Sequence, residues 1–201
     1  MAKQTALIKC SGSLLGNWEA FHFMHGKQAQ YALRVVCGGG EQINNLFRER
    51  GWPIHFGPMG RICEDFEQRL AAENILKFNA AELEDRLDDA QVNASVITPV
   101  FDKEVGGVTC HVNGDLLPLI CYNGFDKIFV LTKQSEVKRK RRFYAALWTI
   151  FSKHLDARDV PDALEINFDF FPPKIEIIGI TDLDDEDPLH DPLSYPHERM
   201  R

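Results

Sequence analysis

No stretch of this chain stays apolar for the roughly 20 residues that a bilayer-spanning helix needs. Its opening, MAKQTALIKCSGSLL, holds only short, interrupted apolar pieces and no signal-peptide cleavage pattern. A cytoplasmic chain without membrane contact is expected. Cysteine is sparse: five residues, at 10, 37, 63, 110 and 121, with no C-x-x-C pair and each in or beside an apolar segment. An odd, scattered set excludes a disulfide framework and predicts reduced, structural thiols. Positive charge is in deficit, 23 Lys and Arg against 30 Asp and Glu for a net charge of -7. Binding to a nucleic-acid backbone needs a basic field, so this balance argues against nucleic acid as a partner. Metal ligands are equally thin. His22 and His25 have helical spacing but no evident third ligand, and no protein-bound structural metal is expected.

What is present describes an ordinary folded domain. At 201 residues, with 44% hydrophobic and 26% charged residues, the chain can bury a real core as one unit. Residues 5–10 (TALIKC) read as a buried strand that runs into the turn Ser11-Gly12-Ser13. Residues 14–30 read as helical. Residues 31–37 (YALRVVC) form a second apolar strand, followed by Gly38-Gly39-Gly40 and then Glu41, Ile43, Leu46 and Phe47 at helical spacing. The segment 51–60 (GWPIHFGPMG) is too rich in Gly and Pro for a helix and is expected to be a loop or hairpin over the sheet. From Glu64 the apolar spacing is helical, and Asn79 is positioned to cap a further helix over 80–90.

Residues 94–101 read as a strand broken late by Pro99, and 105–112 as a hairpin or short strand. A helix is expected over 116–122, closed by a left-handed cap at Asn123-Gly124, and a strand over 127–132. Alternating strands and helices of these lengths specify an α/β fold, a three-layer αβα sandwich around a mostly parallel sheet. Ligands of such sheets bind beyond the carboxyl ends of the strands, where Lys9 to Ser13, Gly38 to Gly40 and Asp115 are expected.

A lysine beside glycine turns is a reasonable cradle for an anion, because the turns bring backbone N–H groups close and the following helix aims its positive end at the same place. Each piece alone is weak: a strand-end lysine usually snorkels to water, and a glycine run is usually a flexible connection. Their joint occurrence in this order favours a site.

In order and spacing, the segments LIKCSGSLL, RVVCGGG, GPMGRICEDFEQRLAAENIL, NASVITPVF and HVNGDLLPLICYNGFDKIFVLT resemble the amino acid kinase superfamily from residue 5 to about residue 132. Acetylglutamate kinase matches the middle segments, and uridylate kinase the opening turn equally well. The resemblance implies an ATP-dependent, Mg2+-requiring kinase that phosphorylates a small anionic acceptor, a carboxylate or a phosphate, in a homo-oligomer. It implies that Lys9 contacts the transferred group and Asp115 orients the lysines. Gly12, Ser13, Gly38, Gly39 and Gly40 would cradle the cofactor. Arg61, His111 and Asn113 would contact the acceptor, His111 standing where acetylglutamate kinases carry an asparagine.

The resemblance fades after Thr132, where the superfamily's nucleotide half would lie: Lys133-Gln134-Ser135 follows, and no Gly-Met-Lys segment appears. A lapsed kinase that binds a nucleotide or anion without turnover is therefore the alternative. The basic run Lys138 to Arg142 reads either as a solvated helix start or as a site for ATP phosphates, a phosphorylated acceptor or, least favoured by the net charge, nucleic acid. An amphipathic stretch over 143–151 and strands over 163–168 and 174–180 complete a domain expected to span 1–180. The acidic, proline-containing segment 181–201 is expected to be an extended or disordered tail.

Overall fold

A computed structural model describes residues 3–57, 60–105, 108–110, 114–156 and 171–181. In chain order the elements are β1 (Gln4–Cys10), a 3-10 turn (Gly12–Leu14), α1 (Trp18–Lys27), β2 (Tyr31–Cys37), α2 (Gly40–Glu49), β3 (His55–Gly57), β4 (Gly60–Ile62), α3 (Phe66–Asp89), β5 (Ala94–Ile97), β6 (Phe101–Val105), β7 (Val108–Cys110), α4 (Leu117–Ile120), a 3-10 turn (Tyr122–Gly124), β8 (Lys127–Lys133), a 3-10 turn (Gln134–Glu136), α5 (Val137–Asp156) and β9 (Ile175–Ile180).

The central sheet has five strands in the order β5-β2-β1-β8-β9, and all four of its pairings are parallel. Parallel strands need covering on both faces, and β1 shows how the sequence meets that need. Ala6, Ile8 and Cys10 enter one core with Phe21 and Met24 of α1 and Leu83 and Leu87 of α3. Leu7, pointing the other way, enters a second core with Leu117 and Leu119 of α4 and Tyr144 of α5. The period of two thus builds helices onto both sides of the sheet. A smaller cluster of Ile43, Phe47, Ala72 and Leu76 joins α2 to α3.

The expected α/β class with a mostly parallel central sheet is what the chain adopts; several local readings change. Of residues 14–30 only 18–27 form a helix, the ten-residue α1, which follows the 3-10 turn ending at Leu14 and starts where Asn17 caps it by accepting from the Glu19 N–H at 2.9 Å. The separate helix over 80–90 does not exist: α3 runs unbroken for 24 residues, begun by Asp65, whose carboxylate accepts from the Gln68 N–H at 2.8 Å. Asn79 is buried inside it and donates to the Gly38 carbonyl at 3.0 Å. A tertiary acceptor satisfies the amide that a cap would otherwise use.

Gly124 has no positive φ and ends a 3-10 turn rather than a left-handed cap. The 51–60 segment closes as the β3–β4 hairpin, and a second antiparallel hairpin, β6–β7, follows β5. The expected strand over 163–168 and residues 182–201 of the acidic tail lie outside the described residues. Among those described, no helix is long and apolar enough to cross a membrane.

Cys10 and Cys37 are register partners at the ends of β1 and β2, and both are buried free thiols. Burial pushes the Cys10 thiol up to about 12 and raises that of Cys37, further helped by the charge of Cys10.

Candidate anion-binding site

From β1 the chain builds outward through β2 to β5 on one side, then returns to lay β8 and β9 on the other. The connections from β1 and β8 therefore leave in opposite directions, which opens a crevice at the carboxyl ends of the strands, the usual ligand position in such sheets. A cavity of about 710 Å³ lies there, lined among others by Lys9, Gly12, Gly38, Asp115, Thr132 and Lys140.

One wall of the cavity is backbone. The Ser11 N–H donates to the Leu131 carbonyl at 3.2 Å and the Gly38 N–H to the Cys10 carbonyl at 3.0 Å, so the turns after β1 and β2 are tied to the sheet. Gly12 is required by its neighbour: a Cβ there would stand 2.3 Å from the Gly38 carbonyl oxygen. Gly39 is packed nearly as closely, since its Cβ would meet Leu76, Asn79 and Ile75 of α3 at 3.1–3.2 Å. Gln42 donates to the Gly12 carbonyl at 3.1 Å and completes the link between the two turns. Ser13 Oγ lies 3.1 Å from Ser11 Oγ. The ten-residue α2 begins at Gly40 without a side-chain cap, and Gly39, Gly40 and Glu41 line the cavity, so the positive end of the helix lies beside it.

The opposite wall is ionic. Lys9 Nζ lies 2.8 Å from Asp115 Oδ1, and Lys140 Nζ bonds Asp115 Oδ2. The side chains are 5% exposed for Lys9, 7% for Lys140 and 20% for Asp115. Burial alone would raise the Asp115 carboxyl, but the charges and hydrogen bonds of the two lysines outweigh it and hold the group well below the usual carboxylate range. Burial, reinforced by the charge of Lys9, lowers Lys140 against the opposing pull of Asp115. Two buried ammonium groups on one carboxylate leave a net positive charge in a place with little water, and an anion between them would be held strongly.

Arg61 lies at the rim. It donates to the Gly40 carbonyl at 3.2 Å and to Asn44 Oδ1 at 2.5 Å, and its guanidinium lies 5.1 Å from the Phe47 ring centre and 4.9 Å from that of Phe56. Its Nη1 is buried and has no partner.

The structure thus gathers Lys9, Gly12, Ser13, Gly38, Gly39, Gly40, Arg61 and Asp115 around one cavity. His111 and Asn113 lie outside the described residues. Sequence reasoning missed Lys140 as an individual. Of the basic run, Lys138, Arg139, Arg141 and Arg142 are exposed as a solvated helix start requires, whereas Lys140 is turned inward to Asp115. The available signal was the conflict between five cations and a helix N-terminus. Among the described residues, no group of three or more His, Cys, Asp or Glu side chains is placed to hold a metal ion.

No protein-family model matches the chain, and no curated protein matches it. Solved structures do. The protein smu.665 from Streptococcus mutans UA159 is similar at 15% identity and a TM-score of 0.54, over 64% of this chain and 72% of that one. N-acetylglutamate synthase from Neisseria gonorrhoeae complexed with coenzyme A and L-arginine gives 12% identity and a TM-score of 0.43, over 64% of this chain and 43% of the synthase. The same synthase complexed with coenzyme A and N-acetyl-glutamate gives 12% and 0.41, over 69% and 47%. The chain spans less than half the length of these synthase chains. The likeness to smu.665 is one of fold.

These comparisons correct the expected membership of the amino acid kinase superfamily. They also correct what came with it: ATP-dependent phosphoryl transfer, the lapsed nucleotide-binding variant, and ATP and Mg2+ as cofactors. No family model, those of kinases included, matches the chain, and its likeness to smu.665 is one of fold alone. The physical reason is that the residues behind the resemblance, a strand-end lysine and two glycine turns, are general equipment for holding an anion at the edge of a parallel sheet.

Proposed function

We propose that this chain binds a small molecule through a carboxylate or phosphate group placed between Lys9 and Lys140, with the backbone N–H groups at the start of α2 as further donors. One observation carries the reading: two nearly buried lysines share a single aspartate, a charge arrangement that an incoming anion completes. The fold adds support, since the cluster stands at the point where strand order reverses. Arg61, with an unpartnered buried nitrogen on the same cavity, suits a second polar group of the same molecule.

A thermal-shift and calorimetry panel of acetate, glutamate, N-acetyl-glutamate, inorganic phosphate, coenzyme A and acetyl-coenzyme A tests this. At least one of these is expected to raise the melting temperature through selective binding to the folded state. Lys140→Met should weaken that ligand by about tenfold to a hundredfold, the loss of a charge-assisted contact. Because burial lowers Lys140 from its ordinary 10.5, its charge is lost at a lower pH than a surface lysine's. Affinity is therefore complete below that depressed value and declines as pH rises through it. A panel without response, or a ligand indifferent to both Lys9→Met and Lys140→Met, would remove the reading. Turnover of acetyl-coenzyme A with any carboxylate or amine of the panel would extend it to acyl transfer. ATP with Mg2+, run alongside, should produce no shift and tests the correction directly.

A further inference from the structure

The helix α3 is apolar on two faces. Ala72, Leu76, Leu83 and Leu87 point into the protein. On the other side Phe66 is 68% exposed, Leu70 42% and Phe78 68%. Exposed aromatic side chains on a helix already anchored by its other face make a patch that a partner can cover, and among the described residues nothing covers it.

The outer residues follow a single ridge at four-residue spacing, Phe66, Leu70, Asn74 and Phe78. Such i, i+4 ridges are the elements that interlock when two helices cross at about −50°. This ridge is nearly the same read from either end, large and aromatic at both tips and smaller in the middle. A two-fold contact demands that self-complementarity, because the same patch must face itself.

Charge fixes the direction. The last two turns of α3 carry Glu82, Glu84, Asp85, Asp88 and Asp89 against Arg86 alone. Parallel helices would set these acidic ends side by side, whereas antiparallel ones hold them at opposite ends of the pair.

We propose that α3 pairs with α3 of a second copy of this chain, antiparallel across a two-fold axis between Leu70 and Asn74, bringing Phe66 of each copy onto Phe78 of the other. Leu70 meets Asn74, and the two aromatic tips close the contact at its ends. The pairing does not depend on what the cavity binds. Only three exposed apolar side chains per copy, Phe66, Leu70 and Phe78, enter the contact, so association in the micromolar range is expected rather than an obligate dimer.

Sedimentation velocity on the whole chain, from about 1 μM to about 100 μM, should show the mass rising from one chain to two across that range. The double variant Phe66→Glu/Phe78→Glu should remain one chain throughout, with the circular dichroism of the parent. Asn74→Cys, beside the axis, should give a covalent dimer under mild oxidation, whereas Glu84→Cys on the same helix but away from the axis should not exceed the unsubstituted control. A parent chain that stays single at every concentration overturns the proposal. So does a double variant that still associates as the parent does. Should that variant fail to fold, the cysteine pair decides: equal cross-linking at 74 and 84, or none at 74, rules the contact out.

Discussion

The two walls of the cavity are built on different physics. The wall of β1, β2 and α2 is made of backbone and is held by exclusion: Gly12 abuts the Gly38 carbonyl, and Gly39 abuts α3. The wall of Asp115 and α5 is made of long side chains and is held by charge. A steric wall fails when anything is added, and an ionic wall fails when one partner is removed. The first sets the shape that a ligand must have, and the second sets its sign.

The largest effect is expected on the ionic side. Asp115→Ala leaves two buried ammonium groups without their carboxylate and should destabilise the fold by about 3 kcal/mol, measured by urea unfolding. The pH dependence has a definite sign. The Asp115 carboxyl is held below its ordinary 3.8, so its contribution is fully present above that value and is lost as pH falls toward the folded-state value. The stability gap between the parent and Asp115→Asn should therefore be constant near neutrality and narrow only below about pH 4. A gap that varies between pH 6 and 8 would mean that another group governs the cluster.

On the steric side, Gly12→Ala drives a Cβ into a main-chain oxygen, and the turn must shift; a loss of about 2–3 kcal/mol is expected, at the upper end of overpacking. Smallest of all, Gly40→Ala should change stability by less than about 0.5 kcal/mol, as at an unencumbered surface site, because nothing lies within 4 Å of the Cβ it would gain. Equal costs at Gly12 and Gly40 in the same thermal melts would collapse the distinction between the two walls.

That contrast also marks what the sequence made legible. Three strands of the central sheet could be read because 5–10, 31–37 and 127–132 are mostly apolar runs, as doubly covered strands tend to be. The turns could be read because glycines follow two successive apolar strands, one after 5–10 and three after 31–37. Which of the three glycines is crowded could not be read, since Gly39 is set apart only by α3 side chains brought in from elsewhere in the chain. Asn79 was misread for the same reason: alone it looks like a cap, and only the folded chain supplies the Gly38 carbonyl that it holds. Lys140 was hidden among four neighbours of like charge, because helical phase decides which of the five turns inward. The family assignment failed differently. Its motif residues do stand together, but motifs that serve anions in general do not name a reaction.

The paired thiols beneath the turns sort the cysteines into reporters and bystanders. Cys63 and Cys121 are partly exposed, whereas Cys10 and Cys37 are sealed within the sheet with their thiolates disfavoured. An alkylating reagent can reach the inner pair only during moments when the carboxyl edge of the sheet opens. The labelling rate at those two positions is thus a clock for local opening at the binding site, readable by mass without any added probe. A molecule that fills the cavity should slow that clock while leaving the outer thiols at their usual pace.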